Sequence, residues 1–325
     1  MPQRKADNMD ATPVFLINGF LESGKTTFIT ETMKDPQFAK AGKVLVLMCE
    51  EGEIEYDEVA LAKKNVSILP IEEMDQLNPD FLKQLEKFYH PDMVMVEFNG
   101  MWKTEDFFNL ELPENWALGQ IITLMDAETF NNYYNNMRSF FAENVKYSDV
   151  VIVNRVDENT DKLFIRRCIK PLNRQAQIMY ETAEGIDNSA VEEVLPFDIN
   201  ADVIEIEDDD FGLWYMDALD NPSKYEKKKV KFKGMVYYND KLPKGTFIPG
   251  RMAMNCCVDD LAFIGFLSKP PKGKKVTDYL LRGWYIIEAD IKVEFARQYR
   301  GKGPVLYVTN ITPDHEPEEK IVYFT

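Results

Sequence analysis

At 325 residues the chain is longer than one small core accommodates, so two domains are expected. A formal charge of −17 argues against nucleic-acid and anionic-lipid partners, and no apolar run approaches the ~18 residues of a membrane span. Four cysteines are too few for a disulfide scaffold, and the N-terminus MPQRKADNMDATP has no apolar leader core, so the expected location is cytoplasmic.

The first strand is expected at residues 14–17, and it runs directly into GFLESGKT before a helix over 26–34. Gly19 to Thr26 spell G-x-x-x-x-G-K-[ST] between a strand and a helix, the context a phosphate-binding loop needs. Glycines let main-chain N–H groups turn towards phosphate oxygens. The helix start adds its unpaired donors and its dipole. Gly19, Glu22, Ser23, Gly24, Lys25, Thr26 and Thr27 are therefore the expected nucleotide cradle. In it Lys25 supplies charge to the β- and γ-phosphates and Thr26 a hydroxyl to Mg²⁺.

Further strands are expected at 44–48, 66–69, 93–97, 121–125, 150–153 and 176–180, with helices over 79–89, 127–144 and 161–172. Near-continuous apolar strands alternating with helices imply a doubly wound, mostly parallel α/β sheet. The run DMVMVEFNG ends a buried strand on Glu97, an acid placed to serve the metal or the attacking water, with Gly100 positioned near the γ-phosphate. The strand VVIVN ends in Asn154, Arg155, Val156 and Asp157, close to the N-K-x-D of GTPases. A carboxylate at Asp157 accepts both N1–H and the N2 amino group of guanine, which favours GTP over ATP. Arg155 stands where that pattern has lysine, and its stem or guanidinium is placed to cover the base.

The texture changes near residue 200. An acidic run leads into an aromatic segment, DDDFGLWYMDALDNP, read as a helix packing on the strands C-terminal to it, with a docking surface as the other reading. About five alternating strands then read as a small all-β domain, an OB-like barrel or a sandwich. The expected organisation is 1–200, a 201–228 linker and helix, and 229–325. Within NCCVDD, Cys256 and Cys257 are either a second metal site at a turn or one core and one rim cysteine.

Taken in order, the three nucleotide motifs resemble the CobW-type metallochaperone GTPases of the SIMIBI class, relatives of urease and hydrogenase maturation factors. VLVLMCEEGEIEYD looks like that family's switch region, with Glu50, Gly52 and Asp57 matching and Cys49 in place of asparagine. ITLMDAETF and IKPLNRQAQIMYET look like its later segments, so the likeness spans about residues 13–196. It implies Glu50 beside Lys25 and Glu97 in the catalytic set, and Asp57 beside Thr26 and Glu97 around Mg²⁺. The family's C-x-C-C metal motif is missing: NVSILPIEEMDQLNPDF has no cysteine, and Glu72, Glu73 and Asp75 read as an acidic helix start. Residues 211–325 are similar instead to a domain of unknown function at the end of predicted bacterial permeases.

The resemblance implies a GTP- and Mg²⁺-dependent hydrolase, slow without a partner because no arginine finger is evident in cis. It implies delivery of Zn²⁺ or another transition metal, or metallocentre assembly, with a client metalloprotein as partner. The alternative is a nucleotide-dependent switch or adaptor for a membrane transporter, with little turnover and no metal client. GTP and GDP are the expected ligands, a homodimer is left open, and neither nucleic-acid binding nor membrane insertion is expected.

Overall fold

A computed structural model of the chain describes residues 11–35, 38, 42–189, 191, 194–254, 261–299 and 301–324. The chain divides into two compact units, Met1–Ala190 and Val191–Thr325.

In the first unit β1 (Thr12–Asn18), β2 (Val44–Met48), β3 (Val66–Pro70), β4 (Met93–Glu97), β5 (Trp116–Asp126), β6 (Val150–Asn154), β7 (Gln177–Thr182) and β8 (Gly185–Asp187) form one sheet. Its order is β3-β2-β4-β1-β5-β6-β7-β8. Every adjacent pair is parallel except the β7–β8 hairpin.

Strand alternation decides which side chains share a face. Leu45, Leu47, Val94, Val96 and Ile121 enter one core with Leu82 and Leu85 of helix α3 (Pro79–Tyr89). Val44, Val46, Met93, Met95 and Ile122 enter the other with Ile29 and Met33 of helix α1 (Lys25–Lys34). Both faces are covered, so the strands read as unbroken apolar runs. This is the doubly wound sheet expected. The chain leaves β1 for β2 and β3, returns through β4 beside β1, and continues to β5 on the other side. The carboxyl ends of β1, β4 and β5 thus meet at a topological switch point, where open α/β sheets bind ligands.

Several details differ from the sequence reading. Helix α2 (Glu58–Ala62) and helix α4 (Thr104–Phe108) are short elements it does not anticipate. Strand β5 begins at Trp116, and Gly119 is the extra residue of a bulge against β1. The single helix expected over 127–144 is two, α5 (Phe130–Asn136) and α6 (Arg138–Lys146), joined at Met137 with φ −130 and ψ 40. The asparagine-rich end of α5 explains the break: Asn136 Nδ2 donates to the Asn132 carbonyl at 2.9 Å, and such local bonds compete with helix continuation. Glu72, Glu73 and Asp75 lie at a 3-10 turn, Met74–Gln76, rather than at the start of an α-helix. Helix α7 (Lys162–Ile169) is capped by Asp161, which accepts the Phe164 N–H.

The second unit is mainly antiparallel and curls into a half-barrel. Strands β10 (Lys229–Tyr237), β11 (Ile248–Met254), β12 (Leu261–Gly265), β13 (Ser268–Lys269), β14 (Trp284–Ala296) and β15 (Gly301–Pro313) run in the order β12-β11-β10-β14-β15-β13. Two short strands, β9 (Ile204–Ile206) on β10 and β16 (Ile321–Val322) on β11, pair in parallel. One continuous curled sheet answers the choice between barrel and sandwich.

The aromatic segment is helix α8 (Phe211–Asp220), and it lies inside this unit. Its Phe211 and Trp214 pack with Phe232 and Phe266 in the core. Arg251 is 1% exposed among them, donating to the Asp208 carbonyl and carboxylate and to the Glu319 carbonyl. Among the described residues no helix is long and apolar enough to cross a membrane.

Candidate nucleotide site

The phosphate loop begins where β1 ends. Asn18 Oδ1 accepts the Gly19 N–H at 2.8 Å, turning the chain out of the strand. Gly19, Glu22 and Gly24 have φ of 139, 62 and 92, in the left-handed region that glycine adopts at least cost. A Cβ at Gly19 would lie 2.3 Å from the Leu124 carbonyl oxygen, so bare backbone is required there. Gly24 is the N-cap of α1 and no side chain caps it. The first-turn N–H groups are left to a cavity of about 230 Å³ lined by Glu22, Gly24, Lys25, Thr26, Thr27, Glu50, Glu97 and Arg155, among others. The ring of Phe20 stacks on Tyr133 with centroids 4.0 Å apart, fixing the loop's outer side.

Lys25 is 4% exposed, and its ammonium uses its three donors. Nζ donates to the Gly19 and Phe20 carbonyls at 2.8 Å each and to Glu50 Oε2 at 2.5 Å. The expected neighbours Lys25 and Glu50 are thus an ion pair.

Beside them Thr26 Oγ1 donates to Glu97 Oε1 at 2.6 Å. The second Glu97 oxygen accepts from the Tyr56 hydroxyl at 2.5 Å. Burial at the end of β4 pushes the Glu97 carboxyl up, against the two hydroxyls and Lys25, which favour the charged form. The same burial and the nearby carboxylate push the Tyr56 phenol up. Burial likewise raises the Cys49 thiol, which packs in the core as a small apolar residue. Gly100 lies against the loop: a Cβ there would stand 2.3 Å from the Gly19 carbonyl oxygen.

A second cavity of about 750 Å³ adjoins α1 on the β6 side, lined by Gly24, Thr27, Phe28, Asn154, Arg155, Asp157, Glu181, Thr182 and Ala183, among others. Asn154 Nδ2 donates to the Ser23 carbonyl at 2.7 Å, tying β6 to the phosphate loop. Its Oδ1 and the Ser23 hydroxyl are buried without a hydrogen-bond partner among the described residues. Arg155 has φ 53, and its guanidinium pairs with Asp126 at the end of β5. Asp157 accepts the Thr160 hydroxyl at 2.8 Å, the Asn159 side-chain amide at 3.3 Å and the Asn159 N–H at 3.0 Å, and these bonds, Thr160 first, hold its carboxyl below the usual range.

The structure brings the loop residues, Glu50, Glu97 and Gly100 together, with Asn154, Arg155 and Asp157 at the neighbouring cavity. Asp57 stands apart: it is exposed, and its carboxylate accepts the Ala60 N–H as the N-cap of α2. A helix begins at residue 58, and the side chain preceding it is drawn to its free donors, not to Thr26. Cys256 and Cys257 lie outside the described residues. Among the described residues no three His, Cys, Asp or Glu side chains cluster as a metal site. Sequence reasoning misses Tyr56 and Asp126. Asp126 has a signal, since it ends the strand ITLMD as Glu97 ends its own; Tyr56 has none beyond its hydroxyl.

A loop of this form on a doubly wound sheet, with an acid at the end of the adjoining strand β4, defines a P-loop nucleotide-binding protein. Residues 13–180 match the nucleotide-binding domain of the CobW/HypB/UreG family, and the chain belongs to that family. Residues 181–324 match the DUF1980 C-terminal domain. Among solved structures, Zn(II)-bound YjiA GTPase from E. coli aligns at 17% identity with a TM-score of 0.40, covering 82% of this chain and 92% of that one. The hydrogenase maturation factor HypB from Archaeoglobus fulgidus aligns at 14% identity and 0.39, covering 53% and 82%. HypB from Helicobacter pylori in complex with nickel aligns at 16% and 0.37, covering 54% and 80%. No curated protein matches the chain.

Proposed function

We propose that the chain binds GTP with Mg²⁺, hydrolyses it slowly, and uses the cycle to handle a transition-metal ion. The observation that carries the nucleotide reading is Lys25, held by the Gly19 and Phe20 carbonyls, beside the Thr26–Glu97 hydrogen bond at the uncapped start of α1, next to the cavity bordered by Asp157.

The main-chain N–H groups of the loop hold phosphate oxygens, and Lys25 leaves the Gly19 and Phe20 carbonyls and Glu50 to neutralise them. That exchange frees the Glu50 carboxylate at the cavity, beside the place a water must occupy. The Thr26 hydroxyl and the Glu97 carboxylate are hard oxygen donors of the kind Mg²⁺ takes, and they already touch one another. Mg²⁺ held there would supply charge neutralisation to the phosphates. Asp157 accepts the two guanine donors, and Arg155, held by Asp126, flanks the base. Metal handling rests on family membership, with Zn²⁺ or another soft ion as cargo and a client metalloprotein as receiver.

Calorimetry in Mg²⁺ buffer is expected to show GTP bound more tightly than ATP. Asp157→Asn is expected to transfer preference to xanthosine triphosphate by about tenfold or more, the worth of one hydrogen bond to a charged group. Equal ATP and GTP affinity would refute the guanine reading, and no nucleotide binding would refute the whole. Phosphate release that rises with added Zn²⁺ supports metal handling. Metal-indifferent release means a switch, and none means an adaptor, for which the DUF1980 match leaves a transporter as the partner to try.

A further inference from the structure

We propose that Tyr56 is a positioning residue of the nucleotide site: its hydroxyl fixes one oxygen of Glu97, keeps the other on Thr26, and so fastens segment 50–57 to the metal-binding side of the loop. The inference rests on the nucleotide reading above for its catalytic consequence, and on the hydrogen bonds alone for the fastening.

Glu97 is 2% exposed, so each of its oxygens needs a partner. Thr26 serves Oε1 and Tyr56 serves Oε2, at 2.6 and 2.5 Å. Both donors are neutral hydroxyls, and each is fixed from a different element. Thr26 belongs to α1, whereas Tyr56 precedes α2, with its ring packed against the core that holds Ile17, Ile29 and Val46. Take away the phenol oxygen and Oε2 loses the hydroxyl that holds it in place. The side chain then gains freedom to swing away from Thr26.

The same bond matters to the segment itself. Residues 51–55 are exposed, so the stretch between β2 and α2 is held at its ends. At one end Glu50 pairs with Lys25, and at the other Tyr56 reaches Glu97. The two groups that meet phosphate and metal are therefore the two groups that hold the segment. A ligand that draws Lys25 away releases the first fastening and leaves the second, so Tyr56 becomes the hinge on which the segment turns.

A purely structural role would need only the ring, which phenylalanine keeps. The test compares the full-length parent with Tyr56→Phe, Glu97→Ala and the double variant. In nucleotide-free, metal-free protein, amide hydrogen exchange across 50–57 is expected to quicken about tenfold in Tyr56→Phe, the equivalent of one hydrogen bond to a charged group. In the Glu97→Ala background the same substitution is expected to change nothing, because the hydroxyl has no carboxylate left to hold. With GTP and saturating Mg²⁺, kcat is expected to fall about tenfold while KM stays within about twofold.

Parental exchange in Tyr56→Phe overturns the proposal. So does an exchange effect that persists undiminished without Glu97, since that marks general loosening of the fold. Parental kcat in a parent that turns over GTP overturns the positioning role. If the parent binds no GTP, the nucleotide reading has failed, and the exchange arms still decide the fastening.

Discussion

Gly100→Ala places a methyl group where backbone already stands. The new Cβ would lie 2.3 Å from the Gly19 carbonyl oxygen, 2.8 Å from its carbon and 3.0 Å from Phe20 Cα. The first distance is about 1 Å short of ordinary van der Waals contact. All three atoms are main chain, so no side chain can swing aside. Gly100 is not among the positive-φ residues, and the penalty is steric alone. Overpacking of this kind costs about 1–3 kcal/mol. In a unit of this size each kcal/mol lowers the melting temperature by about 2–4 °C. The displaced atom has a second duty: the Gly19 oxygen accepts Lys25 Nζ at 2.8 Å. Relief of the clash by moving the loop therefore shifts the ammonium, and GTP affinity is expected to fall about tenfold for each 1.4 kcal/mol lost. Thermal melts with and without GTP·Mg²⁺, together with calorimetry, read both effects. Parental melting together with parental affinity would refute the close approach of residue 100 to the loop.

Two further perturbations address other parts of the chain. Asp187 pairs with Lys162, which more than the Ser189 bonds holds its carboxyl down to about 2 from 3.8. A folded value below the unfolded one adds stability above about pH 4 and loses it as pH falls towards about 2. The stability gap between parent and Asp187→Asn in urea is therefore expected to narrow steadily between about pH 5 and pH 3; a gap that widens would contradict the pair. Arg251→Ala removes a buried guanidinium lying 5.8 Å from the ring centres of Phe211 and Trp284, and about 3 kcal/mol of stability is expected to go with it. A denaturant midpoint unchanged from the parent would refute that.

Much of the first unit is legible in the sequence because β1, β2, β4 and β6 are covered on both faces, and a strand so placed writes itself as an apolar run. Strand β5 reads short: Gly119 and Gln120 interrupt the run, and pairing with β1 is what extends it back to Trp116. The break at Met137 depends on asparagine side chains finding local carbonyls, which periodicity does not record. The phosphate loop and Glu97 stand out in the sequence because glycines and an acid follow directly on apolar strands. Tyr56 is not, since its partner is 41 positions away and only the fold brings the two together. Likeness to a switch region assigns Asp57 to the metal, and the start of α2 gives it a nearer task. In the second unit the long strands are visible, but β9, β13 and β16 have two or three residues each and exist by virtue of their partners.

The 2.7 Å bond from the Asn154 amide to the Ser23 carbonyl reaches further than its length. It joins the strand that ends beside Asp157 to the turn that ends at Gly24, so neither wall of the cleft relaxes by itself. On the proposed reading, the base end and the phosphate end of the cleft are therefore coupled, and linkage makes the exchange mutual: a base that seats correctly tightens the hold on the phosphates by the same factor.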